Sequence, residues 1–329
     1  EHLPIFGSMP SEYFEHQPSG FRTKRGSMKN LRTGTGRLGI HTYVVLIFTI
    51  TLACTPFTIV KAQQAFSHGQ NIAPVFEGWE QKADGSFDLV FGFFNRNCEE
   101  ALNIPIGANN NIEPGGPDQG QPTRFFTRRG KFIFKIRVPA DFGDNELVWS
   151  LTAHGKTEKA YATLHPEYIL DKRITMMNEG GFGQRAGESD SLYPDLRIEG
   201  DRHRTTTVGA SVNLTLTASD DGIPEARREQ AGAGSGRTGL MVGWVVYRGN
   251  DSHVTFTPEQ FNPDFRGRYT GTMCKNKIEV PDWAKEPVPS DGKITVTATF
   301  DEPGTYVLRA MAHDGGLKTT REITVTVTS

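Results

Sequence analysis

From Gln64 onward, apolar and polar side chains alternate with a period of two, the pattern of strands that bury one face. Between residues 72 and 170 the alternation falls into seven short runs: VFEGWEQ, FDLVFGFFN, LNIPI, RFFT, KFIFKIRV, ELVWSLTA and EKAYATL. In the fifth run Phe132, Phe134, Ile136 and Val138 share one face, and Lys135 and Arg137 the other. In the sixth, Leu147, Trp149 and Leu151 fall together. KADGS, TRRGK and DFGDN sit between neighbours and supply the residues that short antiparallel turns need. Seven short strands in this span predict a β-sandwich.

The alternation resumes at Leu196. SVNLTLTA sets Val212, Leu214 and Leu216 against outward Asn213, Thr215 and Thr217, and KITVTATF repeats it with Ile294, Val296, Ala298 and Phe300. EITVTVTS does so with Ile323, Val325 and Val327. Threonine on the wet face suits a half-buried antiparallel sheet. LMVGWVVYR and TYVLRAMAHD add two more strands, with Trp244 expected in the core and Tyr306, just after a Pro-Gly corner, as a hydrogen-bonding corner tyrosine. The predicted fold class is all-β: two immunoglobulin-like antiparallel β-sandwich domains, residues 63–171 and 196–329. Residues 172–195, with NEGGFGQRAGESDS and no alternation, read as a linker. Two insertions interrupt the second domain: 222–239, rich in Gly, Ala and Arg and read as a disordered loop, and the proline-rich 257–292.

The order VNLTLTASDDG, WVVYRG, VTF, TATFDEPGTYVLRAMAHDGG and ITVTVT resembles PKD-like and cadherin-like immunoglobulin-fold modules of bacterial surface and secreted proteins, from Ile198 to the last residue. The resemblance implies a non-catalytic module for adhesion, ligand presentation or spacing. The first domain, with PVFEGWE, FGFFNRN and NNNIEPGGPDQGQPT, is similar to the N-terminal part of exported bacterial proteins of unassigned role, which implies no activity for it.

Composition narrows the classes. With 36 Gly and 19 Pro among 329 residues, a long coiled coil or a polytopic membrane protein is excluded. The formal charge of −2 conceals an asymmetry. Residues 1–62 hold seven basic against three acidic residues, net +4, and the remainder holds 29 against 35, net −6, which gives no reason to expect nucleic acid as a partner. Leu38 to Val60 contains no charged residue. A basic stretch, an apolar stretch and then VKA, with Val60 and Ala62 before Gln63, are the three parts of a secretory signal over residues 28–62. Met28 is the expected start and 1–27 an upstream extension. Two rivals stay open: a retained anchor, since the uncharged run approaches bilayer length, and a lipoprotein modified at Cys54 within TLAC. If cleavage follows Ala62, Cys98 and Cys274 remain, and without a spacing pattern two isolated thiols are expected rather than a disulfide.

Candidate chemistry is sparse. Asp220 and Asp221 in SDDG and Asp314 in HDGG end strands whose following loops emerge at one pole of an immunoglobulin-like sandwich. Three carboxylates there are candidate Ca²⁺ ligands; otherwise Asp before Gly simply builds turns. In RFFTRRGKFIFK, the cations Arg128 and Arg129 beside Phe125 and Phe126 are candidate ligand contacts, against a reading of RRGK as the wet tip of a hairpin. Trp79 joins them as a surface on which a sugar held by the NNNIEPGGPDQGQP loop would stack. No histidine has metal-ligand spacing, and neither a nucleophile elbow nor a phosphate loop is present. The expectation is therefore not an enzyme and no cofactor beyond Ca²⁺. It is a non-catalytic exported interaction or scaffold module displaying loops at the cell surface or in the periplasm, its partner an envelope protein or glycan. The alternative is a carbohydrate-binding module or an accessory domain of a polysaccharide-processing system. Membrane contact is expected only through the N-terminal segment, if uncleaved or lipidated. Intact-mass measurement of the exported chain should give a species beginning at Gln63; a mass that includes residues 28–62 rules out cleavage, and an added lipid mass identifies Cys54 as the anchor.

Overall fold

The computed structural model describes residues 66–179, 190–223, 239–262, 274 and 287–329. The expected signal segment, Cys54 and most of both insertions lie outside the described residues. The described chain builds two antiparallel β-sandwiches, as the alternation predicts, within one compact unit, Lys61–Ser329.

The first sandwich contains β1 (Ile72–Gln81), β2 (Phe87–Asn95), β3 (Leu102–Asn103), β4 (Asn110–Glu113), β5 (Arg124–Phe125), β6 (Arg128–Val138), β7 (Leu147–Ala153) and β8 (Lys156–Ala162). A β1-β2-β6 sheet packs on a β4-β7-β8 sheet, with β3 and β5 paired at one end. Strand β7 and the Phe134–Val138 part of β6 supply the core as the alternation states. Phe132, expected on the same face, is out of step: at a left-handed φ of 48° it breaks the alternation, and Ile133 packs against the core instead. The Phe91 and Phe134 rings stack 5.1 Å apart, and Trp149 stands edge-on to Phe134 at 5.0 Å. Fully buried aromatics of this kind contribute burial together with a geometric preference for these offset and edge-on pairs.

Two expectations need correction. The asparagine-rich loop contains β4, because Asn110 is fully buried: it accepts from Trp149 Nε1 at 3.0 Å and donates to the carbonyls of Ile104 and Pro122. Its polarity serves an internal network rather than the surface. RRGK is not a hairpin tip but the start of β6, where Arg128, Arg129 and Gly130 pair with Asn95, Phe94 and Phe93. Arg129 reaches across β2 to both carboxylate oxygens of Glu77, at 2.6 and 2.7 Å. Glu77 lies over Gly92, where a Cβ would sit 2.1 Å from Glu77 Oε1 and 2.5 Å from the Gly130 carbonyl, so only glycine leaves room.

The second sandwich contains β9 (Asp195–Ile198), β10 (His203–Thr207), β11 (Ser211–Ser219), β12 (Met241–Arg248), β13 (Val254–Thr257), β14 (Lys293–Phe300), β15 (Gly304–His313) and β16 (Lys318–Thr328). Its sheets run β10-β16-β15-β12 and β13-β14-β11-β9, with β10 parallel to β16. This is the two-sheet Greek-key order of immunoglobulin-like folds. Tyr306 forms the expected corner, donating from its hydroxyl to the Glu302 carbonyl at 3.1 Å.

Strand β12 is buried on both faces from Met241 to Tyr247. Val242, Trp244 and Val246 enter the core of the second sandwich. On the other face, Val245 and Tyr247 join Arg309 and Met311 of β15 in lining a small cavity against Phe93, Gly130 and Ile133 of the first sandwich. Edge strand β6 thus lies on this outer face. Its outward carbonyls are met by charged donors: Arg309 Nη1 bonds Ile133 O at 2.5 Å and Lys318 Nζ bonds Lys131 O at 2.5 Å. The Arg309 guanidinium lies 3.4 Å from the Tyr247 ring centroid and pairs with Glu322. Nearby, Arg248 forks onto Asp118 at 2.8 and 3.1 Å, and the Tyr247 hydroxyl donates to Gly120 O at 2.6 Å. The described part of residues 172–195 holds a helix, α1 (Lys172–Asn178), N-capped by Asp171, whose Oδ1 accepts from Ile174 N at 2.7 Å.

Cys98 and Cys274 form a disulfide, which overturns the expectation of isolated thiols. The bond joins the segment after β2 to the 257–292 insertion, 176 residues on, a pairing that sequence separation does not show. Replacing Arg309 with Met keeps the apolar stem but leaves Ile133 O without its donor, so denaturant unfolding should show a loss of about 2 kcal/mol. An unchanged midpoint would mean that the guanidinium contributes nothing to the contact.

Candidate functional site

A cleft of about 630 Å³ opens at the side of the second sandwich, between strands β12 and β13, each terminal in its sheet among the described strands. Trp244, Val245 and Val246 form one wall, and Val254, Thr255 and Phe256 the other. Residues 259–262, leading out of β13, close one end, and Ala101 and Phe126 of the first sandwich contribute at the other. The cleft exists because the sheets end here on non-adjacent strands: β12 is terminal in one and β13 in the other. Gln260 fastens the loop to the strand edge. Its Oε1 accepts from Trp244 N at 3.1 Å and its Nε2 donates to Pro258 O at 2.9 Å. Asp251 at the rim pairs with Arg124 at 2.7 Å, where burial lowers the Arg124 pKa despite the neighbouring carboxylate.

A second cleft, about 360 Å³, lies between the sandwiches and is lined in part by Glu80, Lys135, Tyr193, Arg309, Lys318 and Glu322. Its charges are matched internally: Lys135 with Glu80 at 2.7 Å, Lys318 with Glu179 at 3.0 Å, and Arg309 with Glu322.

Of the aromatic and basic candidates, only Phe126 lines the edge cleft. Phe125 is fully buried in the first core, 5.1 Å from Phe93, and is therefore not a surface contact. Trp79 is packed edge-on to Phe87 at 5.3 Å, and its indole donates to His165 O at 2.9 Å. Arg128 lies over the Phe94 ring at 4.9 Å, and Arg129 is held by Glu77.

The acidic residues act on their own backbone. Asp220 accepts from Gly222 N at 3.0 Å, and Asp314 accepts from Gly316 N and Leu317 N at 2.5 and 2.7 Å. Asp221 accepts from Ile223 N at 2.9 Å and, across the junction, from Leu192 N at 2.7 Å. Burial raises the Asp220 pKa, with the Asp221 charge adding to it. Among the described residues no three acidic, histidine or cysteine groups converge as a metal-binding set, and Asp220, Asp221 and Asp314 each accept from backbone N–H groups of the turn that follows them. At this pole His313 and Asp314 are buried while Asp221 is exposed, and His313 Nε2 lies 3.6 Å from the Glu179 carboxylate at the end of α1.

What sequence reasoning missed is the role of residues 258–262, read only as part of an insertion, and of Tyr247 and Arg309. A signal for the latter was present: MVGWVVY is apolar at seven consecutive positions rather than alternating, the pattern of a strand covered on both faces.

No family model matches the sequence, and no curated protein does. Among solved structures the chain is similar to Sidekick-1 immunoglobulin domains 1–4, at 12% identity over 79% of this chain and 50% of that one, with a TM-score of 0.22. It is also similar to a chimeric titin Z1Z2 functionalised with a KLER exogenous peptide from decorin, at 11% identity over 79% and 99%, TM-score 0.21. A third is domains 4 and 5 of the S-layer protein SbsC, at 8% identity over 56% and 66%, TM-score 0.23. At such scores the immunoglobulin-like assignment rests on the strand order and the Tyr306 corner.

Burial alone would raise the Glu179 carboxyl, but Lys318 and His313 outweigh it and hold its pKa well below the ordinary 4.5. A carboxylate with a depressed folded-state pKa adds stability above its unfolded value that is lost as pH falls toward the folded one. Melting temperature should therefore decline below about pH 4.5 more steeply in the parent than in Glu179→Gln. Parallel acid limbs would show that Glu179 is not linked to folding.

Proposed function

We propose that this is a non-catalytic interaction module of an exported protein, with the edge cleft of the second sandwich as its ligand face. The observation that carries the reading is the cleft itself: a sizeable recess framed by two edge strands and aromatic side chains, held in place by Gln260 and the Arg124–Asp251 pair. His253 lies between Asp301 and Glu302 at 2.7 Å each, an arrangement that orients no nucleophile.

Export is supported by the Cys98–Cys274 disulfide, since such bonds persist in oxidising compartments, and by the signal-like segment at 28–62. No helix among the described residues is long and apolar enough to cross a membrane. The resemblance of residues 198–329 to PKD-like and cadherin-like modules supports a role in adhesion or presentation at the cell surface or in the periplasm.

A photo-crosslinking residue placed at Thr255, on the cleft wall, should yield a discrete adduct in intact cells that the same group at Tyr161, exposed on β8, does not. Equal labelling at both positions, or none at either, would count against the cleft as the ligand face.

A further inference from the structure

Strand β10 is terminal in its sheet, which it joins parallel to β16. The even-numbered residues along it face that neighbour: Thr324 N donates to Arg202 O at 2.7 Å, and Val208 N donates to Thr328 O at 2.9 Å. Successive residues of a strand turn their N–H and C=O to opposite sides, so His203, Thr205 and Thr207 turn theirs away from β16. Thr207 O accepts from Ala210 N at 3.1 Å. Among the described residues, nothing bonds the outward backbone groups of His203 or Thr205. All three residues are exposed, and Val208, the next along, is 39% exposed.

Other strand edges of the molecule are covered. Ile169 bridges to Trp79 along β1, where Leu170 N donates to Trp79 O at 2.8 Å, and Arg309 and Lys318 meet the outward carbonyls of β6. Edges left bare in monomeric proteins commonly carry lysine, proline or a bulge. His203–Thr207 has no lysine or proline, and its register with β16 is unbroken. Its arginine is turned away from the edge, donating to the carbonyls of Glu199, Asp201 and Asn213. Arg202 is likewise held, by Glu322 O at 3.0 Å.

We propose that a second copy of this chain pairs with β10, antiparallel about a two-fold axis through Thr205, joining two four-stranded sheets into one. Thr205 then faces its own copy, and His203 faces Thr207 of the second copy, each pair exchanging both N–H···O bonds. The segment is self-complementary in this register. Asp201 faces Gly209, Arg202 faces Val208 and Arg204 faces Thr206, so no like charges stand opposite one another, and threonine opposite threonine is a favourable cross-strand pair. The contact is five residues long, so the dimer is reversible and forms at high local concentration. Strands β10 and β12 are the two ends of one sheet, so the pairing leaves the cleft beside β12 clear and stands whether or not that cleft binds a ligand.

The test uses the full disulfide-bonded chain. Sedimentation equilibrium from micromolar to millimolar concentration should show a reversible monomer–dimer step. The Thr205 amide should exchange quickly in dilute solution and become protected as concentration rises, while the Thr206 amide, which faces β16, stays protected throughout. Thr205→Pro removes an outward N–H that no bond within the chain uses, so the melting temperature should hold while dimerisation weakens by roughly tenfold or more. Thr205→Lys keeps the backbone donor and sets two like charges face to face on the axis; it should weaken the dimer at low salt and give part of the loss back at high salt. The proposal is overturned by a chain that stays monomeric at millimolar concentration, whether the edge then takes another protein's strand or stays solvated. It is overturned equally by a dimer that either variant leaves as strong as before.

Discussion

Arg309 is the contact on which the arrangement of the molecule depends. It sits in the middle of β15, on the face that an isolated sandwich would turn to water, and it is 5% exposed because the first sandwich covers it. A cation can be buried there only if its donors are satisfied, and each has a partner: the Ile133 carbonyl, Glu322 and the face of Tyr247. The Ile133 carbonyl belongs to an edge strand, which would otherwise present unpaired groups to any passing chain. One guanidinium thus answers the desolvation of the second sandwich and the exposed edge of the first.

Strand content and strand faces could be read from the sequence because period two is a local property. KITVTATF and EITVTVTS place their residues as the pattern states, and Trp244 and Tyr306 take the positions expected of them. The pairing of sandwich with sandwich could not be read in the same way, since it joins residues far apart through contacts such as Arg248 with Asp118. The candidate site followed the same division. Phe126 was legible as an aromatic beside cations, whereas Phe125, its neighbour with the same composition around it, faces the core because adjacent strand residues point oppositely. Asn110 shows the limit of composition as a guide: three consecutive asparagines look like a wet loop, yet one of them organises the interior.

The same packing redistributes what the second sandwich can offer. The pole formed by the β11–β12 and β15–β16 connections, which serves many immunoglobulin-like domains as a recognition surface, meets the helix α1 and residues 190–192 here. On the flank, β12 and β13, each terminal in its sheet among the described strands, leave a gap between the sheets.

The disulfide changes how the chain would carry load. Cys98 lies near the end of β2 and Cys274 lies 176 residues later, so the bond closes a loop containing β3 to β13. Tension applied to the two ends of the polypeptide passes through this bond and bypasses everything between. Extension is confined to the segments outside the loop while the cross-link holds, and about 600 Å of contour length is withheld. For a protein anchored at one end and held at the other, β12 and β13 would sit inside the shielded portion, while β15 and β14, the strands that pair with them, would bear the load.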